Sequence, residues 1–130
     1  MNILLVEDDH LLARGTARLL QRLGGHHVYI TMEPEVIFHH CAAGEVDLVI
    51  MDINLSGVYW QGQAVDGVDI SRQLKERYHH LPILLVTAYA LRTEQQSLLL
   101  NSQADGYFAK PITDYKSFLT TIAQLCQRSP

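Results

Sequence analysis

Three consecutive carboxylates, Glu7-Asp8-Asp9, close the first apolar run of the chain, and a fourth, Asp52, closes another. Thr87 and Lys110 stand at the ends of two further runs, with Pro111 directly after the lysine. If Glu7, Asp8 and Asp52 converge while Asp9 turns away to cap a helix, three negative charges meet the single positive charge of Lys110. Like charges about 4 Å apart repel by roughly 4 kcal/mol at an effective dielectric near 20, so such a cluster needs protons or a cation. One divalent cation neutralises the excess, and a few oxygen ligands with room for water suit Mg²⁺ (or Mn²⁺). A carboxylate beside a bound cation is prepared to receive a phosphoryl group as an acyl phosphate. The cation and Lys110 would offset the charge on the oxygens in transfer.

Convergence requires elements that bring distant residues to one edge. Short β-branched runs occur at 2–7, 26–31, 46–52, 82–87 and 105–110. Helix-like segments lie between them. The clearest is the last, where Tyr115, Phe118, Leu119, Ile122, Leu125 and Cys126 recur at helical spacing. In the first helix Leu12, Leu19, Leu20 and Leu23 are the candidate inward residues, Asp9 the N-cap and Gly24-Gly25 the stop. Residues 36–43 and 91–101 read as weaker helices. A helix over 67–78 would turn Val68, Leu74 and Tyr78 inward. The first, third and fourth strands are continuous apolar runs, as expected of a parallel sheet covered on both faces. The chain is therefore predicted to be α/β, a doubly wound three-layer sandwich of five βα units. In such a sheet the C-terminal strand ends share the ligand-binding edge, and there Glu7-Asp8-Asp9, Asp52, Thr87 and Lys110 would meet.

Composition narrows the alternatives. The chain has 130 residues, 48% hydrophobic and 18% charged, with a net charge of −4. That fits one folded domain and offers no basic stripe for nucleic acid. No apolar stretch of spanning length and no leader pattern follow Met1, so no membrane association is expected. Cys41 and Cys126 lie in no metal or redox spacing and read as reduced thiols of a cytoplasmic protein. The His-His pairs at 26–27, 39–40 and 79–80 point to different faces and form no chelate by themselves.

The segments "ILLVEDD", "VIMDIN", "ILLVTAY" and "DGYFAKP", in this order on successive strand ends, resemble the receiver domain of two-component response regulators. The resemblance implies a flavodoxin-like fold with strand order 2-1-3-4-5 and five helices, over residues 1–127, leaving 128–130 as a tail or the start of a linker. It implies Asp52 as phospho-acceptor, Asp8 and Asp52 as metal ligands, Glu7 acting through water, and the backbone carbonyl of Asn54 on the metal. The side chains of Asn54 and Tyr89 would tune phosphate lifetime. Thr87 would be the switch hydroxyl, Ala88 the small residue that leaves room, Lys110 the phosphate-binding lysine and Tyr107 the switch aromatic. Pro111 would be a cis proline. The donor would be a histidine kinase or a histidine phosphotransfer protein. The readout would be repacking of the face built from the fourth helix, fifth strand and fifth helix, which would control an output partner the sequence does not identify and would also offer a surface for a homodimer.

The protein would then be a signalling switch with self-phosphorylating and self-dephosphorylating chemistry, not a turnover enzyme. Singly, each residue has a plainer explanation: a turn aspartate, a helix-start acid, a core aromatic, a surface lysine. Their joint occurrence at four strand ends favours the site. One rival is an aspartate-nucleophile phosphohydrolase, which would carry an acid-base aspartate where Asn54 stands. The other is a receiver-like interaction module that no longer uses phosphate. The loop departs from the family. Ser56-Gly57 stands where a proline is expected, and Asp66-Gly67, which opens the third helix, arrives several residues late. The uncharged stretch Ile53 to Val65 reads first as an insertion whose Tyr59, Trp60 and Val65 pack on their own protein. The second reading is a flap that shields the site or faces a partner.

Overall fold

Five strand segments form one parallel sheet whose central members are covered from both sides. The computed structural model describes residues 1–88 and 92–127. The strands of this sheet are β1 (Asn2–Val6), β2 (His27–Thr31), β3 (Leu48–Asp52), β6 (Ile83–Thr87) and β7 (Gly106–Ala109). Their spatial order is β2-β1-β3-β6-β7, with every neighbouring pair parallel. Counting only these five, this is the expected 2-1-3-4-5. Every residue of the central strands β3 and β6 is buried, whereas β2, at the edge, is half exposed.

Alternation along the strands sorts the core into two layers. Leu4, Val6, Val49, Met51, Ile83 and Leu85 pack with Ile37 and Phe38 of α2 (Pro34–Ala42) and Ile70 and Leu74 of α3 (Gly67–Arg77). On that face Leu98 and Leu99 of α4 (Arg92–Ser102) join from the side. Ile3, Leu5, Leu48, Ile50, Leu84 and Val86 pack on the other face against α1 (His10–Gly24) and α5 (Tyr115–Cys126). Each fully buried Leu, Ile or Val contributes about 1.5–3 kcal/mol, so the two layers supply most of the driving force.

The helix ends follow their capping chemistry. The Asp9 carboxylate accepts from the Leu12 amide at 3.1 Å, and α1 stops where Gly25 turns left-handed at φ 66°. Asp66 and Asp69 form a reciprocal capping box at the start of α3, and Asp114 accepts from the Ser117 amide at 3.0 Å to open α5.

Two inward faces differ from expectation. In α1 the buried residues are Ala13, Ala17 and Leu20, while Leu12 and Leu23 are 37% and 61% exposed. The small alanines let the helix axis approach the sheet, and the bulkier leucines are displaced to the flanks. In α3, Ile70, Ser71 and Leu74 are buried, and Val68 and Tyr78 are only half-buried. Ser71 tolerates this position because its hydroxyl donates to the Ser102 carbonyl at 3.0 Å.

The loop between β3 and α3 contains a small second sheet. Strands β4 (Tyr59–Trp60) and β5 (Gln63–Ala64) pair antiparallel across Gln61-Gly62, whose φ angles are 52° and 81°. Two consecutive positive φ values are what a two-residue hairpin turn of the right twist requires. Cys41 and Cys126 are free thiols. Among the described residues no helix is long and apolar enough to cross a membrane.

Candidate functional site

The register of the sheet brings four strand ends together. Val6 lies opposite Met51, so Glu7 follows β1 beside Asp52, the last residue of β3. Asp52 lies opposite Val86, and Thr87 opposite Ala109, so Thr87 and Lys110 close the row on the other side. The Lys110 amide also donates to the Thr87 carbonyl at 2.8 Å, which ties the loop after β7 to β6.

At the centre are two buried carboxylates, Glu7 and Asp52, 6% and 4% exposed. The Lys110 ammonium reaches both. It forms a short hydrogen bond to Glu7 Oε1 and lies 3.4 Å from Asp52 Oδ2. The other oxygens are held by backbone. The Asp9 amide donates to Glu7 Oε2 at 3.3 Å, and the Asn54 amide donates to Asp52 Oδ1 at 3.1 Å. Asp8, at the mouth, takes a hydrogen bond from the Ser56 hydroxyl at 3.4 Å. The Lys110–Pro111 peptide is cis.

Electrostatics follow from this crowding. Burial pushes the Glu7 carboxyl up to about 7, and the hydrogen bond and negative charge of Asp52 add to the effect. The Lys110 hydrogen bond works against it without cancelling it. Burial would lower Lys110, but its hydrogen bond to Glu7 and the charges of Asp52 and Glu7 hold it above the ordinary lysine value. Near neutral pH the site thus relieves its own repulsion in part with a proton on Glu7.

Glu7, Asp8 and Asp52 each present an oxygen such that all three lie within 4.8 Å of one another. Hard oxygens at this spacing, in excess over the one lysine, fit a divalent cation of the Mg²⁺ kind. The exposed Asn54 sits two residues beyond Asp52, where its carbonyl belongs to the same loop.

Thr87 is fully buried at the end of β6, and the exposed Ala88 follows it. Tyr89 lies outside the described residues, as does the tail 128–130. Tyr107 is half-buried on β7 opposite Leu85, and packs on the α2/α3/α4 side of the sheet. Partial burial raises its phenol, and the charge of Glu94 on α4 raises it further.

Two residues near the site had no role in the sequence reading. Gly67, the first residue of α3, lies so close to the end of β3 that a Cβ there would stand 2.1 Å from the Asp52 carbonyl oxygen. The Asp-Gly dipeptide was a visible helix start, but the close approach was not. Ser56 was legible only as a missing proline, because its contact with Asp8 spans 48 residues of sequence.

The model of the response regulator receiver domain matches residues 3–122. The chain is 32% identical over 122 residues to the response regulator protein FleR of Pseudomonas aeruginosa, covering 94% of this chain and 24% of FleR. It is 30% identical over 115 residues to the chemotaxis protein CheY-3 of Vibrio cholerae, covering 87% of this chain and 82% of that protein. Among solved structures, the receiver domain of NtrX from Brucella abortus superposes with a TM-score of 0.82 at 19% identity, covering 98% and 99% of the two chains. The last likeness is one of fold.

Proposed function

The chain belongs to the response regulator receiver domain family, the phospho-accepting switches of two-component signalling, and from that premise we propose that Asp52 is the residue phosphorylated. One observation carries the assignment: Asp52 is a buried carboxylate that shares one ammonium, Lys110, with a second buried carboxylate, Glu7. The lysine places its positive charge 3.4 Å from Asp52 Oδ2, and a carboxylate oxygen is what attacks phosphorus.

The donor is a phosphohistidine on a histidine kinase or a histidine phosphotransfer protein. An Asp52 oxygen forms the new O–P bond as the N–P bond breaks. The histidine keeps that electron pair and takes up a proton. Asp8, Asp52 and the Asn54 carbonyl would hold Mg²⁺ or Mn²⁺, with Glu7 reaching it through water. When bound, the cation supplies positive charge against the phosphoryl oxygens. Lys110 supplies the second positive group, moving from the Asp52 oxygen to a phosphoryl oxygen. The buried Thr87 hydroxyl then donates to another phosphoryl oxygen, Ala88 leaves space for it, and Tyr107 fills the volume Thr87 vacates. Side chains at Asn54 and Tyr89 set how readily water reaches the phosphorus.

Phosphorylation brings about −1.5 to −2 charge and three acceptor oxygens to a site already crowded with carboxylates. The response is a population shift of the α4/β7/α5 face, which engages an output partner or a second copy of the chain. The family acts as a switch, not a turnover enzyme. Self-phosphorylation from small donors and self-dephosphorylation are the chemistry proposed for this chain, carried by residues 1–127 and acting in the cytoplasm.

The test is incubation with acetyl phosphate and Mg²⁺, read by intact mass. Wild type should gain one phosphoryl group and Asp52→Asn none. Equal labelling of both would overturn the assignment.

A further inference from the structure

We propose that Ser56 is a positioning residue for Asp8: its hydroxyl holds the Asp8 carboxylate turned into the acidic pocket, ready for the cation. The inference rests on the cation reading of Glu7, Asp8 and Asp52 given above.

The Ser56 hydroxyl donates to Asp8 Oδ2 at 3.4 Å. Asp8 needs such a partner. Asp52 and Glu7 are held by Lys110 and by the Asn54 and Asp9 amides. Asp8 stands at the mouth of the pocket, only partly buried, with an oxygen within 4.8 Å of the Glu7 and Asp52 carboxyls. Repulsion within the pocket would swing an untethered Asp8 out to solvent, and the incoming cation would have to draw it back. A hydrogen bond to one oxygen opposes that swing and leaves the other oxygen free to ligate.

The loop is built to keep Ser56 in place. Leu55 and Val58, on either side of Ser56-Gly57, are 8% and 6% exposed and belong to the α2/α3 core. Gly57 takes φ 68°, which reverses the chain directly after the serine. Beyond it, the Val65 amide donates to the Val58 carbonyl at 3.0 Å and closes the base of the hairpin. At its far end Trp60 stacks on Phe38 with ring centroids 4.6 Å apart. Two buried anchors, a closed base and a stacked tip fix an exposed serine whose hydroxyl meets a metal ligand from a distant strand. The insertion thereby contributes to the acidic pocket at its base, whatever its tip does.

The experiment is calorimetric titration of the unphosphorylated protein with Mg²⁺ alone, repeated with Mn²⁺ followed by electron paramagnetic resonance. Wild type, Ser56→Ala and Ser56→Thr are compared, with cation-free thermal unfolding as the control. Outer partners of metal ligands typically matter at the ten- to hundredfold level, and this partly exposed one should sit near the lower end, about tenfold weaker binding in Ser56→Ala. Ser56→Thr, which keeps the hydroxyl, should bind close to wild type. The cation-free Tm should be the same in all three, because Ser56 is exposed and fills no core volume. Equal or tighter binding by Ser56→Ala would overturn the positioning role and leave the cation reading intact. A wild-type protein that takes up neither ion would overturn the cation reading, and this proposal with it.

Discussion

The indole of Trp60 lies on the ring of Phe38, with centroids 4.6 Å apart and planes inclined by 22°. The Arg77 guanidinium covers Phe38 as well, 4.7 Å from the ring centroid. The hairpin is therefore anchored on α2 through Phe38, and its aromatic pair divides. Trp60 is the anchor, while Tyr59 is 65% exposed. Trp60→Ala should cost about 2 kcal/mol, below the range for a fully buried tryptophan because the residue is only half-buried. Tyr59→Ala should change stability by less than about 0.5 kcal/mol. Urea unfolding of the two variants measures both. Equal losses would show that the stacked pair is not what holds the hairpin.

Gly67 offers a sharper steric test. A Cβ at this position would stand 2.1 Å from the Asp52 carbonyl oxygen and 2.7 Å from Ile53 Cα, both backbone atoms that cannot rotate away. Gly67→Ala should therefore cost about 2 kcal/mol or more, although alanine is the better helix former. The displaced atoms carry Asp52, so labelling by acetyl phosphate should fall as well. A variant as stable as wild type, with undiminished labelling, would contradict the close approach.

Which parts of this architecture the sequence discloses depends on distance along the chain. Glu7, Asp52, Thr87 and Lys110 could be read because each ends an apolar run, and a parallel sheet sends all such ends to one edge. The α1 interface was misjudged for a local reason. Leu12 and Leu23 carry a stronger apolar signal than Ala13 and Ala17, yet close helix–sheet packing favours the smaller pair. The hairpin was hidden because its strands have only two residues each and no alternation to reveal them. Ser56 on Asp8 and Trp60 on Phe38 are contacts between distant segments, for which no periodicity exists.

At the opposite edge of the sheet, Lys75 forms a second cluster. Its ammonium donates to the His79 and Leu81 carbonyls at 3.0 and 2.9 Å and to both Asp105 oxygens at 3.2 and 3.0 Å. Asp105 Oδ2 also accepts from the Ile83 amide at 2.8 Å, so the pair staples the end of α3 to the starts of β6 and β7. The side chains are 11% and 20% exposed. Lys75→Met keeps the stem but leaves a largely buried carboxylate without its cation, which should cost about 3 kcal/mol. Adding Asp105→Asn should recover part of that loss. A double-mutant cycle in urea would show strictly additive effects if the two residues did not interact.

The last prediction concerns pH. Burial, then Asp52, raise Glu7 from its ordinary value of 4.5 to about 7. Between those values the native state keeps a proton that the unfolded chain has lost. The unfolded chain binds fewer protons there, so this contribution to stability falls as pH rises. It is complete below about 4.5 and gone once the pH has passed about 7. Other carboxylates slope the opposite way in acid, so the term is isolated by comparison with Glu7→Gln, which cannot titrate. The stability of wild type relative to Glu7→Gln, without added cation, should decline from about pH 5 to about pH 8. A bound divalent cation favours the ionised form and displaces the proton. Mg²⁺ should accordingly bind more tightly as pH rises toward 7, with proton release visible as a buffer-dependent heat in calorimetry. In Glu7→Gln both the pH dependence and the released proton should diminish together. Their persistence would assign the proton to another group in the pocket.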